Sequence, residues 1–222
     1  VFISKLPRFY ALICFSVSRA RRRMYDNYEA LIFDMDGTLV DSGQLHEFGW
    51  SETLNKYGIP IDRQLMRSLA GVPTKGTIDI LLEKFNLSVD ASLDEMNDFK
   101  EAWVHDNMHR FVKPTALIEV AKKYHGVKPM AIGTGAYTAE ARKILQLCGL
   151  DKYISAVVGA DQVKHPKPAP DTFLRCAELL KVDPKKCVVF EDSKLGLQAA
   201  ASAGMAGIDV LLVHNIENDY FL

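Results

Sequence analysis

The apolar run Ala30-Leu31-Ile32-Phe33 ends at Asp34, and Asp36 follows two residues later, ahead of Gly37, Thr38 and Leu39. If the chain turns there, both carboxylates face one site, and such a pair suits covalent and acid-base work. Ordinary turn chemistry is the alternative, because an aspartate before glycine also bonds its own backbone. Three more polar clusters lie at the ends of other apolar stretches. Thr134 sits between Gly133 and Gly135, where small neighbours let amides and a hydroxyl reach an anion; a plain glycine loop is the alternative. Lys167 stands among Pro166, Pro168 and Pro170, and flanking prolines stiffen a lysine that would otherwise be an ordinary surface cation. Glu191-Asp192 follows Cys187-Val188-Val189-Phe190, and adjacent acids repel each other unless a cation or a basic group compensates. Capping of the following helix is the alternative for Asp192 and Ser193.

Gathered at one edge, this set has one economical use. Asp34 and Asp192 offer the hard oxygen ligands that Mg²⁺ takes alongside water and phosphate. Thr134, Lys167 and backbone amides then hold the phosphoryl oxygens, which places fixed positive partners where charge spreads during transfer.

The elements that must position these residues are legible from the same runs. Ala30–Phe33, Pro129–Gly133, Ala156–Gly159 and Cys187–Phe190 are short continuous apolar stretches separated by helical patterns, as in a parallel sheet covered on both faces. The fold class is therefore α/β, a doubly wound, Rossmann-like parallel sheet. Helix signals follow each run: Thr138 ahead of Ala139-Glu140 with Gly149 at the end, Pro170-Asp171 ahead of Phe173, and Gly204 closing an alanine-rich helix from Leu195. A last strand is expected over Ile208–Val213.

One interval breaks the rhythm, because Asp34 to Thr134 is far longer than the roughly 30 residues that one strand-helix-strand unit needs. The surplus, residues 42–113, reads as helical. Ile78, Leu81, Leu82 and Phe85 share one helix face, and Ser92-Leu93-Asp94-Glu95 is a capping-box sequence. The expected organisation is a core of residues 24–41 and 114–222 with a helical cap of residues 42–113 standing over the strand ends, where open α/β folds place ligands.

Composition bounds the rest. The 222 residues include 27 Lys and Arg against 28 Asp and Glu, so bulk charge does not point to a nucleic-acid or membrane-surface partner. Residues 1–23 hold six basic residues (Lys5, Arg8, Arg19, Arg21, Arg22, Arg23) and no acid. Their apolar part, Ala11–Val17, is too short to cross a bilayer, and basic residues follow it instead of preceding it, unlike a signal peptide. The segment is expected to be an extension outside the fold, a basic docking tail being the alternative. Cys14, Cys148, Cys176 and Cys187 form no C-x-x-C pair, so they read as reduced residues of a cytoplasmic protein.

Asp34-Met35-Asp36-Gly37-Thr38-Leu39, Thr134, Lys167-Pro168-Ala169-Pro170-Asp171 and Glu191-Asp192-Ser193 occur in the order of the haloacid dehalogenase-like hydrolase superfamily, and Tyr25 to about Val213 resembles its capped phosphatase branch. Within it, the chain is similar to sugar-phosphate phosphatases related to β-phosphoglucomutase, especially those acting on fructose 1-phosphate. The resemblance implies that Asp34 is the nucleophile forming an aspartyl-phosphate, and that Asp36 is first acid and then base. It also implies that Thr134 and Lys167 bind phosphate and that Asp34, the Asp36 carbonyl, Asp192 and Glu191 form a Mg²⁺ site. Gly37, Thr38, Gly135 and Ala136 would line the phosphate end.

In the cap, the loop Gly71-Val72-Pro73-Thr74-Lys75 resembles the one that dips towards substrate in relatives, with an ordinary helix connection as the alternative. His46 and Trp50, four residues apart, match substrate-side positions or else form a packed core pair. Lys100 matches a cap lysine or else is a surface lysine. β-Phosphoglucomutases often carry other residues where Thr38 and Lys75 stand, which favours hydrolysis over the mutase alternative. A silent phosphate-binding protein and a dehalogenase fit the intact acidic set less well. The expected partner is a phosphorylated sugar, and a monomer is the default.

Overall fold

The structure, a computed structural model, describes residues 24–222. The basic segment 1–23, with Cys14 and the expectation that this segment stands outside the fold, lies outside the described residues.

Strands β1 (Ala30–Phe33), β4 (Met130–Gly133), β5 (Ala156–Val158), β6 (Cys187–Glu191) and β7 (Ala206–Asp209) form one sheet in the order β5-β4-β1-β6-β7. All neighbours run parallel, with Phe33 opposite Ile132 on one side and Phe190 on the other. The pleat divides each apolar run between two cores. Leu31, Phe33, Met130, Ile132, Val188 and Phe190 face one cluster, which also takes residues of helices α5 (Ile118–Tyr124) and α6 (Thr138–Leu147). Ala30, Ile32, Ala131 and Val189 face the other, under α7 (Asp171–Leu180) and α8 (Lys194–Ser202). Both faces are covered, so the runs are apolar throughout instead of alternating.

From β1 the chain goes first to β4 and β5 and only then crosses to β6 and β7. The carboxyl end of β1 is therefore the point where strand order reverses, and a crevice opens there.

Helices α1 (Gly43–Lys56), α2 (Arg63–Ser68), α3 (Thr74–Phe85) and α4 (Leu93–Phe111) lie between two short strands, β2 (Val40–Asp41) and β3 (Lys113–Pro114), which pair antiparallel. The Lys113 ammonium reaches Asp41 at 3.0 Å across this narrow neck. The four helices close a further core from Trp50, Leu54, Met66, Ile78, Leu81 and Met96, which also takes Phe221 from the end of the chain. Ile78 and Leu81 are fully buried there while Leu82 and Phe85 pack at the margin, as their helical spacing predicts.

Three local expectations are corrected. Ile208–Val213 is not one strand: β7 ends at Asp209, whose carboxylate accepts from the Leu211 and Leu212 amides and starts helix α9 (Val210–Val213). Thr138 is not the cap of α6 but its first residue, and its amide is satisfied from outside by Asp161 at 2.7 Å. Ser92 does cap α4 by accepting from Glu95 N at 3.1 Å, but Glu95 instead accepts from the Tyr57 hydroxyl, so only half of the capping box forms. Replacing Asp161 with Ala removes that cap from α6, and should lower stability by about 1 kcal/mol in urea unfolding.

Candidate active site

The turn after β1 is built around Gly37, which has φ of 77°, a conformation glycine adopts without strain. Its amide donates to Val40 O at 2.8 Å, folding the loop back so that Asp34 and Asp36 share one crevice. A Cβ on Gly37 would stand 2.5 Å from Asp192 Oδ2, so the glycine also lets the loop lie against the end of β6.

Lys167 is buried between two carboxylates, with Nζ 2.7 Å from Asp34 Oδ1 and 2.6 Å from Glu191 Oε1. Only 5% of the residue is exposed, which excludes the surface-cation reading. Burial acts against its charge, but Asp34 and Glu191 outweigh it and hold the ammonium well above the usual lysine range. Burial raises the Asp34 carboxyl well above its ordinary value, with Lys167 opposing and Glu191 and Asp192 adding to the rise. The second oxygen of Glu191 accepts from the Ser193 amide and hydroxyl at 2.8 and 2.9 Å. Ser193 caps α8 through Gly196 N, and the absent side chain at Gly196 leaves the space that the Glu191 carboxylate occupies.

Asp192 accepts from Thr38 Oγ1 at 3.1 Å and from Asn218 Nδ2 at 2.6 Å. Burial, then the Glu191 charge, pushes its carboxyl up to about 6. Oxygens of Asp34, Glu191 and Asp192 lie within 4.8 Å of one another. Three carboxylates against the single ammonium of Lys167 leave buried negative charge that a small hard cation would offset, and an all-oxygen donor set fits Mg²⁺.

Asp36 is held differently. Ser42 Oγ donates to its Oδ1 at 2.7 Å, and His46 Nε2 lies 3.1 Å from the same oxygen. Burial would raise this carboxyl, but His46 and Ser42 hold it below the usual carboxylate range. Thr134 is buried after β4, where its Oγ1 accepts from the Ala136 amide at 3.1 Å and its own hydrogen is left to donate.

All the residues expected from sequence except Thr38 line one cleft of about 210 Å³, and Thr38 stands directly behind Asp192. Gly71, with φ of 88°, brings its carbonyl to 3.4 Å from where a Cβ on Gly135 would be, so this loop meets the Thr134 loop across the cleft. Thr74 Oγ1 donates to Glu101 at 3.1 Å. Lys100 is 5% exposed, bonded to Glu101 at 3.3 Å and 5.2 Å above the Trp50 ring, which corrects the surface alternative. Lys75 lines the cleft but pairs with Asp94 of its own helical layer. Trp50 is buried, while its helix neighbour His46 is committed to Asp36 and is not simply packed.

Four residues of the site belong to none of the motifs in the sequence. Ser42 and Asn218 are hydrogen-bond partners of the acids. Glu140 of α6 lines the cleft with Glu101 of α4, and its carboxyl is raised well above its ordinary value by burial and by that neighbour. Only Glu101, beside Lys100, could have been suspected. Lys167→Met would leave Asp34 and Glu191 buried without their cation, and should cost about 3–5 kcal/mol of stability in chelator at pH 7. The Asp34 carboxyl, already raised by burial, then loses the cation that opposes the rise. Its contribution is retained below the unfolded pKa and lost as pH rises, so thermal unfolding should show the deficit shrinking from pH 7 to pH 5.

Residues 28–204 match the haloacid dehalogenase-like hydrolase family. The chain is 44% identical over 192 residues to the fructose-1-phosphate phosphatase YqaB of Escherichia coli, covering 86% of this chain and all of that one. It is 36% identical over 191 residues to a phosphorylated carbohydrates phosphatase of Thermotoga maritima, covering 81% of this chain and 83% of the relative. The crystal structure of β-phosphoglucomutase from Clostridium difficile superposes with a TM-score of 0.72, covering 87% of this chain and 97% of that one. At 24% identity this likeness speaks for the fold alone.

Proposed function

The chain belongs to the haloacid dehalogenase-like hydrolase family, and we propose that it is a Mg²⁺-dependent phosphatase of small phosphorylated sugars such as fructose 1-phosphate. The observation that carries this reading is the position of Asp34. It is buried, charge-balanced by Lys167, and aimed at a crevice that Thr134 and the Gly135 amide border. A nucleophile held in this way acts on phosphorus without further reorganisation.

In the first step Asp34 attacks phosphorus while the bond to the sugar oxygen breaks, and that oxygen takes a proton from Asp36. Asp36 is held ionised by His46 and Ser42, so it must first gain a proton, and an approaching phosphate dianion raises its pKa in the required direction. In the second step water attacks the aspartyl-phosphate, gives its proton to Asp36 and frees Asp34. Lys167 and Thr134 hold phosphoryl oxygens throughout. Mg²⁺ would be held by Asp34, Asp192 and the Asp36 carbonyl, and bound there it supplies charge neutralisation to the transferring group. Glu191 acts behind this shell, since one of its oxygens is taken by Lys167 and the other by Ser193.

We read residues 42–113 as the cap. Trp50, Lys100 and the Gly71–Lys75 loop then form the sugar end of the cleft, with Glu101 and Glu140 as acceptors for hydroxyl groups. Cys148, Cys176 and Cys187 are free, which agrees with a reducing, cytoplasmic compartment. Among the described residues no helix is long and apolar enough to cross a membrane.

A phosphate-release assay over phosphomonoesters, with fructose 1-phosphate and β-glucose 1-phosphate included, tests the reading. Turnover should require Mg²⁺, favour fructose 1-phosphate and fall at least about 10³-fold in Asp34→Asn. Equal rates in wild type and Asp34→Asn would overturn the mechanism. Conversion of β-glucose 1-phosphate to the 6-phosphate with catalytic glucose 1,6-bisphosphate, without inorganic phosphate, would replace hydrolysis by mutase chemistry.

A further inference from the structure

The matched family region ends at residue 204, yet residues 215–222, after α9, run back along the cleft, where Asn218 and Tyr220 form part of its wall. Both ends of the Asn218 side-chain amide are engaged. Its Nδ2 donates to Asp192 Oδ2 at 2.6 Å, and its Oδ1 accepts from Tyr220 N at 3.0 Å, which fixes the orientation of the group. Thr38 donates to the other oxygen of Asp192, so the carboxylate is pinned from both sides, once from the first motif and once from this segment.

Two glycines make room for the segment. A Cβ on Gly37 would stand 2.6 Å from Asn218 Nδ2, and a Cβ on Gly43 would stand 2.3 Å from Asp219 Oδ1 and 3.2 Å from Tyr220 N. The far end is held by the helical insertion and not by the sheet. Phe221 is buried in the core of Leu54, Ile78 and Met96, and its amide donates to Glu47 at 2.8 Å. Arg67 donates to Tyr220 O at 2.9 Å. The segment therefore ties the insertion to the carboxylate that closes the acidic cluster.

We infer that Asn218 is a positioning residue for the divalent-ion site: it holds Asp192 in the orientation that faces Asp34, and the anchoring of Phe221 and Arg67 on the insertion holds Asn218. This rests on the Mg²⁺-dependent reading above and extends it to a segment beyond the matched family region. A carboxylate that loses one of its two donors can turn away from the cluster, and outer partners of this kind are worth about 10- to 100-fold in metal affinity.

The test uses Mn²⁺ as probe, titrated into the metal-free full chain without substrate and followed by the electron paramagnetic resonance signal of the free ion. Asn218→Ala should weaken Mn²⁺ binding about 10-fold or more, and Arg67→Ala, which touches neither Asp192 nor the cleft acids, about 3-fold or more. In the assay, Asn218→Ala should regain turnover at raised Mg²⁺ with the KM for phosphomonoester near that of wild type, a pattern that a merely structural role would not give. Asn218→Ala that folds by circular dichroism and binds Mn²⁺ within about twofold of wild type would overturn the inference. Arg67→Ala at wild-type affinity would overturn the anchoring, and it carries the decision if Asn218→Ala does not fold. A wild-type chain that binds no Mn²⁺ would overturn the Mg²⁺ reading together with this one, whereas bound Mn²⁺ and an unmoved Asn218→Ala removes this one alone.

Discussion

An ammonium group with almost no access to water stands between the carboxylates of Asp34 and Glu191. A buried charge of either sign is tolerated only when it is paired and its remaining hydrogen-bonding capacity is met. Lys167 satisfies this for Asp34, Ser193 and the start of α8 satisfy it for the rest of Glu191, and Gly196 supplies the space. The nucleophile candidate is thus held by Lys167, which is itself held by the segment 191–196. Moving either of them strands a charge in a region that cannot solvate it.

The acids that this arrangement leaves over are managed unequally. Asp192 is pushed up to about 6 by burial and the Glu191 charge, while Asp36, two residues from Asp34, is held below the usual carboxylate range by a histidine and a serine from the start of the insertion. Two carboxylates on one turn are in this way driven to different protonation behaviour by their neighbours: burial raises Asp34 while His46 and Ser42 lower Asp36, and a bound cation would lower the first just as an approaching phosphate would raise the second. The same division runs across the cleft, where Glu101 keeps its charge beside Lys100 and Glu140 is driven towards the neutral form.

Much of this was legible in the sequence for a topological reason. In a parallel sheet the ends of all strands that point the same way share one edge, so polar residues closing apolar runs are brought together wherever the runs fall in the chain. Asp34, Thr134 and Glu191-Asp192 follow from that rule alone, and Lys167 follows from its prolines. Ser42, Glu101, Glu140 and Asn218 do not, because their places depend on how the insertion and the last segment dock, which no local period encodes. Ile208–Val213 failed for a related reason. A short apolar run serves strand or helix equally well, and the decision fell to the Asp209 side chain capping the amides beyond it.

The central place of β1 bears on how the chain is made. β1 is the earliest strand of the five-stranded sheet to leave the ribosome, yet its neighbour β4 arrives only after the whole helical insertion, and its other neighbour β6 only after two further crossovers. Until Cys187–Glu191 has emerged, Ala30–Phe33 keeps an unpaired, wholly apolar edge of the kind that recruits strands from other molecules. The long-range pairing on which this sheet rests leaves a nascent or truncated chain open to such recruitment, and leaves the cluster around Asp34 incomplete until translation is nearly over.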